Sequence, residues 1–339
     1  MRFVKVPKSK GEETRRELIQ QGLLSNDYAI FSEGDFIFMP VKTAKKEWGG
    51  FEIVEKKAER RPKSVTTLKD ALAPLMDEKE LESLTTSFDL IGDLAIVEIP
   101  PELEPKEKEI GEALLKVHKN VRTVLKKLGP MEGEFRVRKL GRIAGEDRTE
   151  TTYRESGLRM RLDVAKVYFS VRLSHERKRI SELVKDGEKI LVLFAGVGPF
   201  ALVIAKNKPK TRITAVELNP EAVRYMRENI ELNKIKNIEP MEADARDFKG
   251  TGFDRVLMPL PKGAEDFLDV AFNAVKDGGV IHFYTFADSR TPFEEAVKKV
   301  KRAADKAGVS IKVLLQRVVR PFSPKTVQVV LDISIGKTQ

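Results

Sequence analysis

The chain has 339 residues, too many for one ordinary domain, and 41% of them are hydrophobic, enough for a substantial core. Lysine and arginine outnumber aspartate and glutamate by 62 to 52, a formal net charge of +10 that suits a partner rich in phosphate. Cysteine is absent, which excludes disulfides, thiolate metal sites and every mechanism with a cysteine nucleophile.

The amino terminus, MRFVKVPKSKGEETRR, has no apolar segment of the exported kind, and nowhere do about 18 apolar residues run together. A cytoplasmic protein without a membrane span is therefore expected. A strand in MRFVKVPK, a helix over 11–21 and two alternating apolar runs around Glu33-Gly34-Asp35 predict a small α/β module over residues 1–55. Residues 56–70, charged and carrying Pro62, read as a linker. A second module, 71–160, holds a strand over 93–99, a helix over 104–115, the basic run KVHKNVRTVLKKLGP, and strand-like segments that turn at Glu155-Ser156-Gly157.

From residue 161 to 339 the pattern changes to strands alternating with helices, beginning with KILVLFA and RITAVEL. Short apolar runs between helices argue a parallel sheet covered on both faces, and the last two runs, IKVLLQRVV and TVQVVLDISI, read as an antiparallel hairpin on one edge. The expected fold class is α/β, a Rossmann-like domain preceded by two smaller α/β or α+β modules. In such sheets a ligand lies beyond the carboxyl ends of the strands. In LVLFAGVGPFALVIAK, Gly196 and Gly198 let the backbone pass close under a ligand, and Ala201 stands at the last position of the GxGxxG/A pattern. Glu217, ending the next strand, is placed to accept from two ribose hydroxyls.

Glu217 followed by NPEAV, and Asp244 in EADARDF at the end of a third strand, resemble the class I S-adenosylmethionine methyltransferases. The resemblance implies S-adenosylmethionine as cofactor, with Glu217 on the ribose and Asp244 near the adenine amino group. It extends the expected cofactor set from Gly196 and Gly198 to Tyr168, Arg177, Phe194, Ala195, Pro199, Phe200, Leu218, Asn219, Ala245, Pro259 and Pro261.

The segments LDVAKVYFSVRLSHERKRI, GEFRVRKLGRIAGEDR and RVLMPLPKGAEDF, with the amino-terminal GEETRRELIQQGLLSNDYAIFSEGDFIFMP, resemble the archaeal tRNA guanine-N1 methyltransferases that modify guanosine 37. This likeness runs through the whole chain. It implies a tRNA partner, no metal, Glu176 as general base and Arg136 as the cation that stabilises guanine O6. Those roles are what the reaction needs: N1 of guanine carries a proton and is a poor nucleophile, and the charge left on deprotonation moves largely to O6. Arg138, Lys139 and Lys262 are candidates for phosphate contacts around the anticodon loop. Since tRNA is asymmetric and the first module offers a second contact, a monomer is expected.

Blander readings stand beside these. Glu176 lies in a run of charges, Glu176-Arg177-Lys178-Arg179, typical of a solvated helix, and Arg136 could pair with Glu134. His118, His175 and His282 are dispersed and read as structural, not as a metal site; Trp48 reads as core. The chain also departs from the family at Val192, where relatives usually have Asp, and at Pro259, where they usually have Asn; proline lacks both a side-chain amide and a backbone donor. Two alternatives remain open: a wyosine-pathway enzyme acting at the same nucleotide, by aminocarboxypropyl transfer or by methylating a modified guanosine, and a tRNA-binding protein without turnover.

Overall fold

The computed structural model describes residues 1–60 and 67–337, which form two compact units, Met1–Ala71 and Leu72–Gln339. Residues 61–66, the centre of the expected linker, lie outside the described residues.

The first unit is an antiparallel sheet with one helix. In chain order it comprises β1 (Arg2–Pro7), α1 (Gly11–Gln20), β2 (Phe31–Glu33), β3 (Phe36–Pro40), β4 (Glu47–Trp48) and β5 (Phe51–Glu55), and its strand order is β2-β3-β1-β5-β4. The alternating apolar residues of β1 and β3 put Val4, Val6 and Met39 into one core with Leu18 of α1, because side chains two apart on a strand share a face. Trp48 joins that core and donates its indole N–H to Gln21. The start of the expected linker is hydrogen-bonded here: Lys56 N–H donates to the Met1 carbonyl, and Arg60 bridges to Tyr28.

The boundary between the units falls at the end of α2 (Leu68–Leu72), and the second unit continues with α3 (Glu78–Ser83), whose amino end is held by reciprocal hydrogen bonds between Asp77 and Glu80. Then come β6 (Asp89–Ile91), β7 (Leu94–Val97), α4 (Glu107–Val117), β8 (Thr123–Glu132) and β9 (Val137–Gly145), a four-stranded sheet in the order β6-β7-β8-β9. The helix expected over 104–115 starts at Glu107, behind a short 3-10 turn over Pro101–Lys106. The basic run KVHKNVRTVLKKLGP supplies the end of α4 and most of β8. β8 and β9 form a long hairpin whose tip carries Glu134, Phe135 and Arg136.

A separate hairpin, β10 (Glu150–Glu155) and β11 (Leu158–Asp163), turns at Ser156-Gly157 as expected. It attaches to the helical layer of the following domain: Arg161 N–H donates to the Asn229 side chain at 2.6 Å, and Arg159 N–H to Asn233 at 2.9 Å. These amides satisfy strand donors that would otherwise lack partners.

The remaining elements are α5 (Ser174–Leu183), β12 (Lys189–Leu193), α6 (Pro199–Asn207), β13 (Arg212–Glu217), α7 (Pro220–Leu232), β14 (Ile238–Glu242), β15 (Phe253–Met258), α8 (Leu268–Ala274), β16 (Val275–Asp288), α9 (Glu294–Ala307), β17 (Val309–Ser323) and β18 (Thr326–Lys337). They build a seven-stranded sheet in the order β14-β13-β12-β15-β16-β18-β17. β14 through β16 pair in parallel, while β18 runs antiparallel to β16 and to the edge strand β17. One apolar cluster fills the face under α8 and α9, another the face under α5 and α6, as uninterrupted apolar strands require. The strand order reverses direction beside β12, so β12, β13 and β15 open onto a crevice at their carboxyl ends.

Candidate active site

The crevice begins where β12 ends. Phe194 has φ 55°, Gly196 φ 56° and Gly198 φ 87°, a bend that carries the chain from β12 into α6, with Pro199 as the first helical residue. Left-handed backbone suits glycine but costs a bulky residue, so Phe194 is strained; its ring is held edge-on against Phe267, 4.8 Å between centroids. At Gly198 a Cβ would stand 3.0 Å from the Met226 side chain, which is why this position has none.

Glu217 closes the bend from the next strand. Its Oε2 accepts the Gly196 N–H at 2.7 Å and its Oε1 the Asn219 N–H at 2.9 Å. Each carboxylate oxygen keeps a further lone pair. Burial raises the Glu217 pKa, opposed by the N–H groups of Asn219, Gly196 and Leu218. Asn219 caps α7 through Glu221 N–H and donates to the Lys166 carbonyl, which ties this turn to the segment leading to Tyr168. The carbonyl of Tyr168 lies 3.7 Å from where a Gly196 Cβ would stand.

Asp244 is held by Arg246, whose guanidinium and backbone N–H both donate to it; the Arg246 hydrogen bond is the main reason its pKa is lowered. Arg246 also faces Glu134 at 3.5 Å. Glu134 therefore pairs with Arg246, and Arg136 does not pair with Glu134. Instead Arg136, with φ 52°, donates to the Lys262 carbonyl. Burial lowers the Arg136 pKa, an effect offset in part by Tyr168. The hairpin tip thus meets the loop after β15, where Pro259 and Pro261 lie half-buried and the Lys262 side chain is exposed. Arg138 and Lys139 lie on β9 behind the tip, Lys139 exposed.

Glu176, in the first turn of α5, is only 3% exposed, unlike a solvated helix glutamate. Both its oxygens accept from Arg179, at 2.6 to 3.1 Å, and Oε1 also accepts from the Tyr284 hydroxyl at 2.7 Å. Burial first, and the Glu176 carboxylate second, raise the Tyr284 pKa well above its ordinary value, so the phenol remains a donor. Arg179 reaches onward to Asp332, which accepts from His282 Nδ1 at 2.6 Å, and His282 Nε2 faces Arg255 Nη1 at 2.7 Å. Arginine can only donate, so Nε2 accepts, Nδ1 carries the hydrogen and the ring is neutral. Arg255 in turn holds Glu188. His282 is thus structural, as expected, within a buried polar chain that ends at Glu176.

The other expected cofactor residues are distributed unevenly. Ala195 and Phe200 are nearly buried below the bend, Leu218 is half-exposed beside Glu217, and Ala245 is buried behind Asp244. The Arg177 guanidinium, 1% exposed, donates to Glu155 at 2.5 and 2.8 Å and to the Ser170 carbonyl, so the side chain braces the segment that carries Tyr168. Val192 is fully buried in the apolar cluster beneath α5 and α6. Beside Tyr168 opens a cavity of about 390 Å3, lined by Arg136, Arg138, Tyr168 and Phe169 and, from the far hairpin, by Arg320 and Phe322. Sequence reasoning missed Arg179, Tyr284 and Asp332 together with Arg320 and Phe322. Among the described residues no group of His, Cys, Asp and Glu could hold a metal ion, and no helix is long and apolar enough to cross a membrane.

Three family models match the chain: the TRM5/TYW2 methyltransferase domain over residues 151–313, the TYW2 N-terminal domain over 68–149, and the tRNA methyltransferase 5 N-terminal domain over 4–47. The first takes in the β10–β11 hairpin. A tRNA (guanine(37)-N(1))-methyltransferase, Trm5b of Pyrococcus abyssi, is 44% identical over 336 residues, 98% of each chain. The crystal structure of Pyrococcus abyssi Trm5b superposes with a TM-score of 0.87 and 42% identity over 99% of each chain. The structure of a complex of aTrm5 and tRNALeu superposes with a TM-score of 0.84 and 36% identity, covering 98% of this chain and 99% of that one.

Proposed function

The chain belongs to the archaeal tRNA (guanine(37)-N1)-methyltransferase family, and from that premise we propose how its own residues perform the reaction, with Glu176 as general base and Arg136 as the O6 contact. The enzyme transfers the methyl group of S-adenosylmethionine to N1 of guanosine 37 in tRNA.

The residues of the crevice fit the cofactor. Glu217, acceptor of two backbone N–H groups with lone pairs to spare, suits a ribose diol, and the bend leaves backbone open to a ligand at Gly196, whereas Gly198 packs on Met226. Asp244, Phe194 and the loop at Pro259 to Pro261 complete the cradle, with Tyr168 on the opposite side. When bound, the cofactor supplies an electrophilic sulfonium methyl group.

Glu176 takes the N1 proton. Its Oε1 is occupied by Tyr284 and Arg179, whereas Oε2 accepts from Arg179 Nε alone and keeps a lone pair for the incoming N–H. Arg136 supplies the positive charge where O6 gathers electron density, and Tyr168 and Phe169 offer aromatic surface to a base that has left its stack. Arg138, Lys139 and Lys262 carry the phosphates of the anticodon loop. The observation that supports this reading best is the full-length match to a guanosine-37 methyltransferase in a chain whose Glu176 is buried among donors, a setting foreign to a surface glutamate.

The organisation follows: residues 1–55 recognise tRNA away from the anticodon, 71–160 bring Arg136, and 161–339 bind the cofactor and carry Glu176. The protein acts as a cytoplasmic monomer on one tRNA.

Nucleoside mass spectrometry of an unmodified transcript incubated with S-adenosylmethionine tests the reading, with a guanosine-37-to-adenosine transcript as control. It predicts 1-methylguanosine in the first transcript only. An aminocarboxypropyl adduct, or tRNA binding without product, would replace it with the corresponding alternative.

A further inference from the structure

The β17–β18 hairpin lies far along the chain from Arg136, and its tip falls beyond the span that the methyltransferase-domain model matches. Yet it lines the same cavity. The register explains how: Tyr284 pairs with Val330 and Phe286 with Gln328, while Arg320 pairs with Gln328 from the other side. Residues two apart on β16 share a face, so Phe286 stands about 7 Å beyond Tyr284, the residue that holds Glu176, on the same side of the sheet. Phe286 N–H donates to the Pro261 carbonyl, next to the Lys262 carbonyl that receives Arg136.

Phe322 rests on Phe286, 4.4 Å between centroids, and is 54% exposed. A large aromatic ring that leans on a neighbour, here tilted by 42°, and keeps much of its surface open is a ready stacking surface. Arg320 is steadied by Gln328, to which its Nε donates at 2.9 Å. Of the cationic residues around the cavity, Arg172 is paired with Asp89 and Lys127 with Glu98, but among the described residues Arg136, Arg138 and Arg320 have no carboxylate partner. The cavity combines an aromatic platform with guanidinium groups whose charge no described carboxylate offsets.

We propose that the β17–β18 hairpin is the second wall of the target-nucleotide pocket: Phe322 stacks on the unstacked target guanine opposite Arg136, and Arg320 binds a phosphate flanking it. This rests on the reading of the substrate as tRNA. Stacking on an aromatic ring compensates a base for the neighbours it leaves, and a guanidinium beside it fixes the backbone without reading sequence.

The test compares Phe322→Ala, Phe322→Tyr and Arg320→Gln with the wild-type enzyme, measuring KM for tRNA, single-turnover rate and S-adenosylmethionine affinity. Phe322→Ala raises KM for tRNA by on the order of ten-fold, Phe322→Tyr restores it, and both bind S-adenosylmethionine normally. Arg320→Gln lowers the slope of log KM against log salt by about one. A second measurement needs no variant: a transcript with 6-thioguanosine at position 37, irradiated on the wild-type enzyme, crosslinks to the peptide containing Phe322. Unchanged KM in Phe322→Ala, or crosslinks confined to other segments, overturns the proposal while leaving the methyltransferase reading intact. Failure of the wild-type enzyme to form 1-methylguanosine overturns the reading itself.

Discussion

Arg179 grips both carboxylate oxygens of Glu176, at 2.6 to 3.1 Å, and also donates to both oxygens of Asp332, at 2.6 and 3.2 Å. One guanidinium therefore sets the position of the candidate base and joins it to the interior of the sheet. Arg179→Met leaves two buried carboxylates facing each other without their shared cation, and removing one partner of a buried pair costs about 3–5 kcal/mol. Thermal denaturation of that variant should show a loss of this order, with methyl transfer falling too. A melting temperature within a degree or two of wild type would mean that the pair does not hold the core.

Tyr284→Phe is the milder probe. It removes one hydrogen bond to Glu176 Oε1 and leaves the ring packed near Phe200. A single such bond contributes about 1 kcal/mol net, so the fold should survive with a small loss. Single-turnover methylation should nevertheless slow, because Glu176 loses one of the donors that orient its carboxylate. An unaltered single-turnover rate would separate Tyr284 from the base.

His282 makes the fold sensitive to acid. Burial lowers its pKa, Arg255 and Arg179 lower it further, and Asp332 opposes them; Arg255, Arg179 and Asp332 are the charged groups that face it. A histidine whose folded pKa lies below the unfolded value of about 6.5 takes up its proton more readily when unfolded. Its contribution is full above about pH 6.5 and declines as pH falls through that value toward the folded pKa. Asp332 is pushed up by burial but held well below its ordinary range by His282 and Arg179, so its contribution persists to lower pH still. Melting temperatures of the wild type should fall between pH 7.5 and 5, whereas His282→Gln should melt lower throughout but with a flatter slope. Parallel curves would exclude His282 as the source.

Glu217→Gln keeps the size of the side chain but leaves it only one oxygen for the Gly196 and Asn219 N–H groups. Its amide must then face a donor. Hydrogen bonds to a charged group contribute about 1.5–3 kcal/mol, so S-adenosylmethionine affinity measured by equilibrium dialysis should fall by at least ten-fold. Retained affinity would place the ribose elsewhere.

How much was legible beforehand follows from distance along the chain. The bend at Gly196 and Gly198 is encoded within a few residues of β12, and Glu217 is one strand away, so spacing alone exposed both. Glu176 was found through the segment around it. Its partners were not, because Tyr284 lies 108 residues away and Asp332 lies 153 residues from Arg179. A local signal did exist: Asp332 within TVQVVLDISI, His282 within GVIHFYTF and Arg255 within FDRVLM are single polar groups in apolar strands, and such groups must find one another when buried. Phe322 and Arg320 gave less, since a hairpin tip is ordinarily polar and exposed, and only the pairing of β16 with β18 brings it beside Phe286.

The central claim is that Glu176 removes the N1 proton, and single-turnover methylation by Glu176→Gln across a range of pH tests it most directly. Glutamine can still accept from Tyr284 but cannot take a proton. The account predicts a rate lower by about 10²- to 10⁴-fold near neutral pH, with S-adenosylmethionine affinity retained and partial recovery in alkali, where guanine N1 begins to ionise without help. A variant that methylates guanosine 37 at near wild-type rate, with the wild-type pH profile, would contradict it and leave the buried glutamate a purely structural partner of Arg179.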